Sequence, residues 1–516
     1  MHPLPLLAAA IKPDAAAGAA ALPAAAAPGW MAPGTPLAVL APYGVVFITA
    51  LVVSLIATPV MGALARANGV VDHPDARRKN HARPIAYLGG VAIFLGWFAG
   101  LAAACTIPAA AASLNVLLAF LIGAAAVHLT GLFDDVITIR ARMKIGGQLF
   151  AAAALASQDV GVSLARNLVT GVGLPLHELS AISVPLTGQP LDTTVIYICG
   201  TFIIAVFVLG FCNSVNLIDG LDGLAAGVTA IAAVGFLGLA VMVACTDTAD
   251  SVFRTTPASL SLNSATDALT LPHLWDPVRF ALCLAIIGAL LGFLPYNFNP
   301  ASIFMGDAGS LLLGYLGAAA ILSFSDTGGH SVTYVVASLI IFAIPITDTS
   351  LAIVRRKLRG FPIFAPDNEH IHHLIRRTGL SVRASVLVLY GIAVLLVALG
   401  WLVAIAELQL RYVIPAVFAL YVGLTFLCFR VGGAQLAAEA ERKQQAVLTE
   451  APTAPETAPD GGAEETARGD TDAAPHPAGA DTAPAAAEAR TETEPDDPLR
   501  AANDGSSVSL PELSKA

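Results

Sequence analysis

Windows of about 20 apolar residues recur along this chain, the length an α-helix needs to cross the hydrocarbon core of a bilayer. The spans read as Val39 to Leu64, Leu88 to Ile107, Leu114 to Leu132, Ile145 to Ser157, Val195 to Phe211, Leu224 to Cys245, Phe280 to Leu294, Ser310 to Phe324, Val332 to Thr349, Val386 to Ile405 and Tyr412 to Phe429. The fourth, seventh and eighth are short for a full crossing. Backbone surrounded by lipid must satisfy its hydrogen bonds internally. The expected fold class is therefore all-α, a polytopic membrane helical bundle of about eleven transmembrane helices. Composition agrees: 56% of the 516 residues are hydrophobic, 12% are charged, and the mean hydropathy is +0.73. That is too apolar for an ordinary soluble domain.

Basic residues orient the bundle. Arg66, Arg77, Arg78, Lys79 and Arg83 follow the first span, and Arg140, Arg142 and Lys144 follow the third. Arg355, Arg356, Lys357, Arg359, Arg376, Arg377 and Arg383 follow the ninth. The alternate loops carry only Arg166, Arg254, Arg279 and Arg411. The positive-inside rule then puts the basic loops in the cytoplasm, the amino terminus outside and the carboxyl terminus inside. This predicts a multi-pass protein of the inner (plasma) membrane. The expected organisation is an Ala/Pro-rich N-terminal segment over 1–38, a transmembrane catalytic domain over 39–429, and a disordered acidic cytoplasmic tail over 430–516. The first segment makes a weak signal peptide, because prolines break its apolar run and Lys12 is its only basic residue. Asp159 to Thr194 reads as an external loop with short extended pieces.

Several function classes are disfavoured at this stage. The net charge of −10 owes much to the acidic tail, and nothing points to nucleic acid. The six cysteines stand singly beside apolar runs, without CxxC or ligand spacing. No internal repeat is evident by eye, which weighs against a transporter built on inverted repeats.

What chemistry there is sits at span ends, on the side of the basic loops. GLFDD ends at Asp135, NSVNLIDGLDGL runs from Asn213 to Leu224, NFNPASIFMGDAGSL from Asn297 to Leu311, and EHIHH from Glu369 to His373. Carboxylates beside hydrocarbon are costly and mark functional sites. Asp134 and Asp135 project about 100° apart on a helix, so one can touch substrate while the other supports it. An isolated pair is equally well a solvated helix end. Asn213, Asn216, Asp219 and Asp222 fall three apart, and a turn broken at Gly220 and Gly223 would gather them; part of the pattern is helix capping. Asp307 alone reads as an N-cap, but with Asn216 or Asp219 it could hold a hard cation that also binds substrate phosphates. His370, His372 and His373 lie among basic residues, which favours phosphate contact over zinc.

Together, in this order and on one face, the four motifs resemble the polyprenyl-phosphate N-acetylhexosamine-1-phosphate transferases of glycosyltransferase family 4. These are relatives of phospho-N-acetylmuramoyl-pentapeptide transferase. The resemblance runs from about Leu40 to Phe429 and includes the first basic loop, VVDHPDARRKNHARPIAYLGG, from Val70 to Gly90. Ala86 and Tyr87 stand where the family has Pro and Arg, which weakens the expectation of a phosphate contact there. The HIHH form is similar to the branch that uses UDP-N-acetylglucosamine or a related UDP-sugar.

The resemblance implies an Mg2+-dependent enzyme, Mn2+ being an alternative ion. It would transfer a sugar 1-phosphate from a UDP-N-acetylhexosamine to polyprenyl phosphate (undecaprenyl or decaprenyl) and release UMP, in cell-wall or surface polysaccharide synthesis. It places Asp134, Asp135, Asp219, Asp222, His372 and His373 in catalysis, and Asp307 and Asn216 on the metal. Lys144, Asn213, Asn216, Asn299, Arg355, Arg356 and His370 are expected at the substrates. A phosphate monoester is already mostly a dianion at neutral pH, so the Asp134–Asp135 pair is expected to orient lysine, metal or substrate and not to act as a base. The lipid bilayer is an expected partner, and homodimerisation is left open. The competing expectations are a phospho-N-acetylmuramoyl-pentapeptide transferase, a transporter of a charged solute, and a scaffold whose tail recruits partners. A transporter would place its polar residues at mid-span.

Overall fold

The structure, a computed structural model, describes residues 35–72, 84–171, 188–254, 275–362 and 370–406, with scattered residues at 180–184 and 411–426. Residues 1–34 of the expected N-terminal segment, the acidic tail and half of the eleventh span lie outside the described residues, as do Arg77, Arg78, Lys79 and Arg83. The described chain is helical, in the order α1 (Pro36–Leu40), α2 (Gly44–Ala67), α3 (Gly89–Ala104), α4 (Pro108–Ala111), α5 (Leu114–Ile137), α6 (Ala141–Ala156), α7 (Val162–Gly171), α8 (Leu191–Ile218) and α9 (Leu224–Arg254). It continues with α10 (Asp276–Asn297), α11 (Gly306–Leu322), α12 (Ser331–Ile341), α13 (Ala343–Leu358), α14 (Ile371–Arg377) and α15 (Val382–Ile405).

Among the described residues, seven helices are long and apolar enough to cross a membrane, or eight if the bent pair α12–α13 counts as one span. The expectation of about eleven is not reached, for three reasons. The second and fourth windows form helices of only 16 residues, α3 and α6. The ninth is broken at Phe342 by a 75° bend. The eleventh is described only at scattered helical residues. Conversely, the seventh and eighth windows, read as short, lie in full-length helical spans, Asp276–Asn297 and Gly306–Asp326. Their polar ends continue the helix because protein, not lipid, surrounds them. The expected loop Asp159 to Thr194 also contains a helix, α7, and gives its last residues to α8.

One helix organises the rest. Every residue of α11 except Asp307 is buried, and it packs against α3, α5 and α8. Small residues allow close approach where helices cross; Gly96 and Gly100 of α3 lie against Ala50 and Ser54 of α2, without room for a Cβ. A short antiparallel hairpin, β1 (Val71–Asp72) with β2 (Ile85–Ala86), ties the first loop down. Its Ala86 pairs with Ile303, and Phe304 N donates to Ala86 O at 2.8 Å. Gly89 N and Gly90 N then donate to Phe304 O and Met305 O, both at 2.9 Å. The segment entering α11 is thereby stitched to the start of α3.

Candidate active site

The site begins at the first turn of α11. One face of α5 seats that turn. Asp135 accepts from Asp307 N at 2.7 Å and Ala308 N at 3.0 Å, satisfying donors that a helix start leaves unpaired. His128 Nδ1 lies 3.3 Å from Ala308 O, and Gly131 packs directly on the Asp307 and Ala308 backbone. His128, Gly131 and Asp135 fall on one face by helical spacing.

Held there, the Asp307 carboxylate becomes a junction. Lys144 donates to Asp307 Oδ2 and forms a second ion pair with Asp134 Oδ2 at 2.7 Å. Asn216 Nδ2 donates to Asp307 Oδ1 at 2.8 Å and lies 2.9 Å from Ser310 Oγ. Three remote segments, ending α5, starting α6 and ending α8, thus converge on the helix that carries Asp307. The turn between α8 and α9 brings in the remaining acids, since the helix stops at Ile218 and restarts at Leu224 through Gly223 at φ 80°. Asp222 Oδ2 accepts from Asn299 Nδ2 at 2.8 Å and Ala301 N at 3.0 Å. Asn297 accepts from Gly223 N at 3.1 Å and donates to Ile303 O at 3.0 Å, which locks this turn to the end of α10.

These residues enclose a cavity of about 390 Å³, with Asn216, Asp219, Asp222 and Asp307 on its wall together with Asn299. Tyr87 and Phe304 form an aromatic wall, packed edge to face with centroids 6.0 Å apart. His373 and Arg376 supply the basic side. Burial, and then the nearby Asp307, Asp135 and Asp222 carboxylates, push the Asp219 carboxyl up to about 8. Burial, followed by Asp72 and then Asp135, Asp219 and Asp307, pushes the Tyr87 phenol up as well, so it stays protonated and able to donate. An acid raised in this way marks a place where added positive charge is favourable. The donors at hand are hard oxygens from Asp307, Asn216 and Asp219, and among the described residues no three His, Cys, Asp or Glu side chains form a metal-binding group. Such a set fits an ion such as Mg2+, which takes one or two protein oxygens and fills its shell with phosphate and water.

The histidine segment closes the cavity. α14 carries His372 and His373, with ring centroids 4.2 Å apart, and His372 lodges against Gly220 so closely that a Cβ there would meet its imidazole. Burial is the main cause that drives His372 down to about 3, and burial likewise lowers His373. Both His372 ring nitrogens are buried without a hydrogen-bond partner.

The expected site residues are thus placed unequally. Asn216, Asp219, Asp222, Asn299, Asp307 and His373 share the cavity wall. Asp134 and Lys144 join it through Asp307, Asp135 stands behind it as a cap, and His372 lies behind Gly220. Asn213 turns away to Gln148 Oε1 and Leu209 O, at 3.2 and 2.7 Å. Arg355 is buried in α13 with Arg356 half-buried beside it; neither is on the wall, and His370 is held by Asp348. Sequence reasoning passed over Asp72, Asn297 and Asp348. Asp348 carries a signal that could have been read, an acid inside the apolar ninth window.

A helical bundle that gathers acids and amides around a cavity at its helix ends, with a lysine on the central carboxylate, has the makings of a membrane-embedded enzyme site for phosphorylated substrates. Comparison with known proteins agrees with the class. The glycosyl transferase family 4 description matches residues 117–325. The chain is 35% identical over 352 residues to a probable undecaprenyl-phosphate N-acetylglucosaminyl 1-phosphate transferase of Bacillus subtilis, covering 67% of this chain and 80% of that one. It is 32% identical over 371 residues to a decaprenyl-phosphate N-acetylglucosaminephosphotransferase of Mycobacterium tuberculosis, covering 69% and 80%. A phospho-N-acetylmuramoyl-pentapeptide-transferase of Acaryochloris marina is 34% identical over 277 residues, covering 51% of this chain and 60% of its own. The chain belongs to glycosyl transferase family 4.

Proposed function

We propose that this protein transfers N-acetylglucosamine 1-phosphate from UDP-N-acetylglucosamine to a polyprenyl phosphate, releasing UMP, with its site on the cytoplasmic face of the plasma membrane. Residues 39–429 are the catalytic domain in this reading. The observation that carries it is the Asp307 junction, where Lys144 and Asn216 meet one carboxylate at the rim of a cavity that also holds Asp219 and Asp222. The names of the relatives supply the substrate class, and both carry polyprenyl phosphate with N-acetylglucosamine.

In the reaction an oxygen of the polyprenyl phosphate bonds to the sugar-linked phosphorus, and the bond from that phosphorus to UMP breaks. Both reactants are anions, so an acidic pocket must be offset by positive charge. Asp307 and Asn216 would hold Mg2+, which supplies Lewis-acid charge stabilisation when bound. Lys144, tethered by Asp134, steadies the acceptor phosphate. His373 and Arg376 face the donor's diphosphate, while Asp219 and Asp222 orient the nucleotide sugar. Asp135 acts through the backbone of Asp307, and no general base is needed because the nucleophile is already a dianion near neutral pH. Positioning and charge stabilisation then supply most of the rate.

The test supplies purified protein with polyprenyl phosphate, Mg2+ and labelled UDP-N-acetylglucosamine, and follows label transfer and UMP release. The expected result is transfer to the lipid with one UMP per event. Asp307→Ala should lower turnover at least about a hundredfold while the protein stays folded. Absence of transfer by the wild-type chain would sink the reading.

A further inference from the structure

The histidine segment is held by a residue that none of the acidic or histidine motifs contains. Asp348 lies on α13, beyond the 75° bend, and is fully buried. Its Oδ2 is 2.8 Å from His370 Nδ1, and its Oδ1 accepts from Ile371 N at 2.7 Å. A buried carboxylate left unmatched is costly, and here each oxygen meets one donor from the first step of α14. The arrangement extends to the cavity. The His370 ring stacks on His372 with centroids 5.7 Å apart and planes 2° from parallel, and His372 in turn lies against His373 and Gly220. His373 and Arg376 follow on the cavity wall.

We infer that Asp348 is a positioning residue for the transfer reaction, acting through His370 to set where His373 and Arg376 stand against the donor's phosphates. The inference rests on the transferase reading of the site. The carboxylate oxygen is the acceptor in this contact, so the His370 ring presents an N–H from Nδ1 to Asp348. Asparagine at this position preserves the shape and still accepts from Ile371 N. Its amide cannot accept the ring proton on the same side, so the ring turns or changes tautomer.

The experiment compares the wild-type full chain with Asp348→Asn, His370→Ala and the double variant. The expected result for Asp348→Asn is an unchanged thermal midpoint, kcat at least tenfold lower per folded molecule, and an unchanged KM for polyprenyl phosphate. The double variant should be no slower than His370→Ala alone, because the effect passes through that ring. A kcat equal to wild type, or losses that multiply in the double variant, would overturn the proposal. A wild-type chain that releases no UMP would instead refute the reaction. In that case hydrogen exchange still decides the positioning claim, because Asp348→Ala should speed exchange over 370–377 at least tenfold and leave 306–322 unchanged. Equal exchange over 370–377 overturns it.

Discussion

Gly220 and His372 are in close contact at the cavity. No side chain fits between them, so Gly220→Ala should push α14 off the cavity. The expected outcome is a fall in kcat of at least about tenfold, roughly 1.4 kcal/mol in the barrier, with little change in the thermal midpoint. His372 also gives the segment a pH dependence. Its folded value is depressed from 6.5 to about 3, chiefly by burial, with His373, His370 and Arg376 adding to the effect and Asp348 opposing it. The neutral form is the one the fold favours, so this group's contribution is complete above its ordinary value and is lost as pH falls from 6.5 towards 3. Protection factors for amides 371–377 should therefore drop between pH 7 and pH 5 in the wild type and drop less in His372→Gln, where His373, also lowered by burial, still responds. A level wild-type profile would contradict the assignment.

At the scale of elements, the α5–α11 crossing decides whether Asp307 is in place. Gly131 meets the Asp307 and Ala308 backbone, which cannot yield as a side-chain tip can. Gly131→Ala should cost about 1–3 kcal/mol in denaturant unfolding and lower activity further than that loss of folded protein explains. Much of this architecture was legible beforehand. Ten of the eleven apolar windows lie on helices, because a period-free apolar run of this length has few other fates. The convergence of Asp134, Asn216, Asp219, Asp222 and Asp307 followed from their shared position at helix ends. What could not be read was which acids face the cavity. Asp134 and Asp135 look equivalent in sequence, yet one pairs with Lys144 and the other caps α11, a division set by the rotation of α5 against its neighbour. Asn213 was misleading for the same reason, since one helical turn carries it from the cavity to Gln148. The break at Phe342 did have a marker, because the Pro345 ring cannot follow a continuous helix past the Ile341 carbonyl, and Asp348 lies one turn beyond that proline.

For the whole molecule, the arrangement of basic loops predicts sidedness that chemistry can check. In a background lacking the six native cysteines, Arg142→Cys should react with a membrane-impermeant maleimide only from the cytoplasmic side, and Thr193→Cys only from outside. The reverse pattern would place the cavity on the wrong leaflet. The enclosure of α11 has a separate consequence. Because other helices surround it, bilayer thickness and acyl-chain order act on those neighbours and reach Asp307 only through them. Reconstitution in short-chain and long-chain phospholipids should accordingly alter how the prenyl substrate is captured while the Michaelis constant for the water-borne nucleotide sugar holds steady. Such an enzyme would keep one catalytic geometry through growth conditions that remodel its lipids.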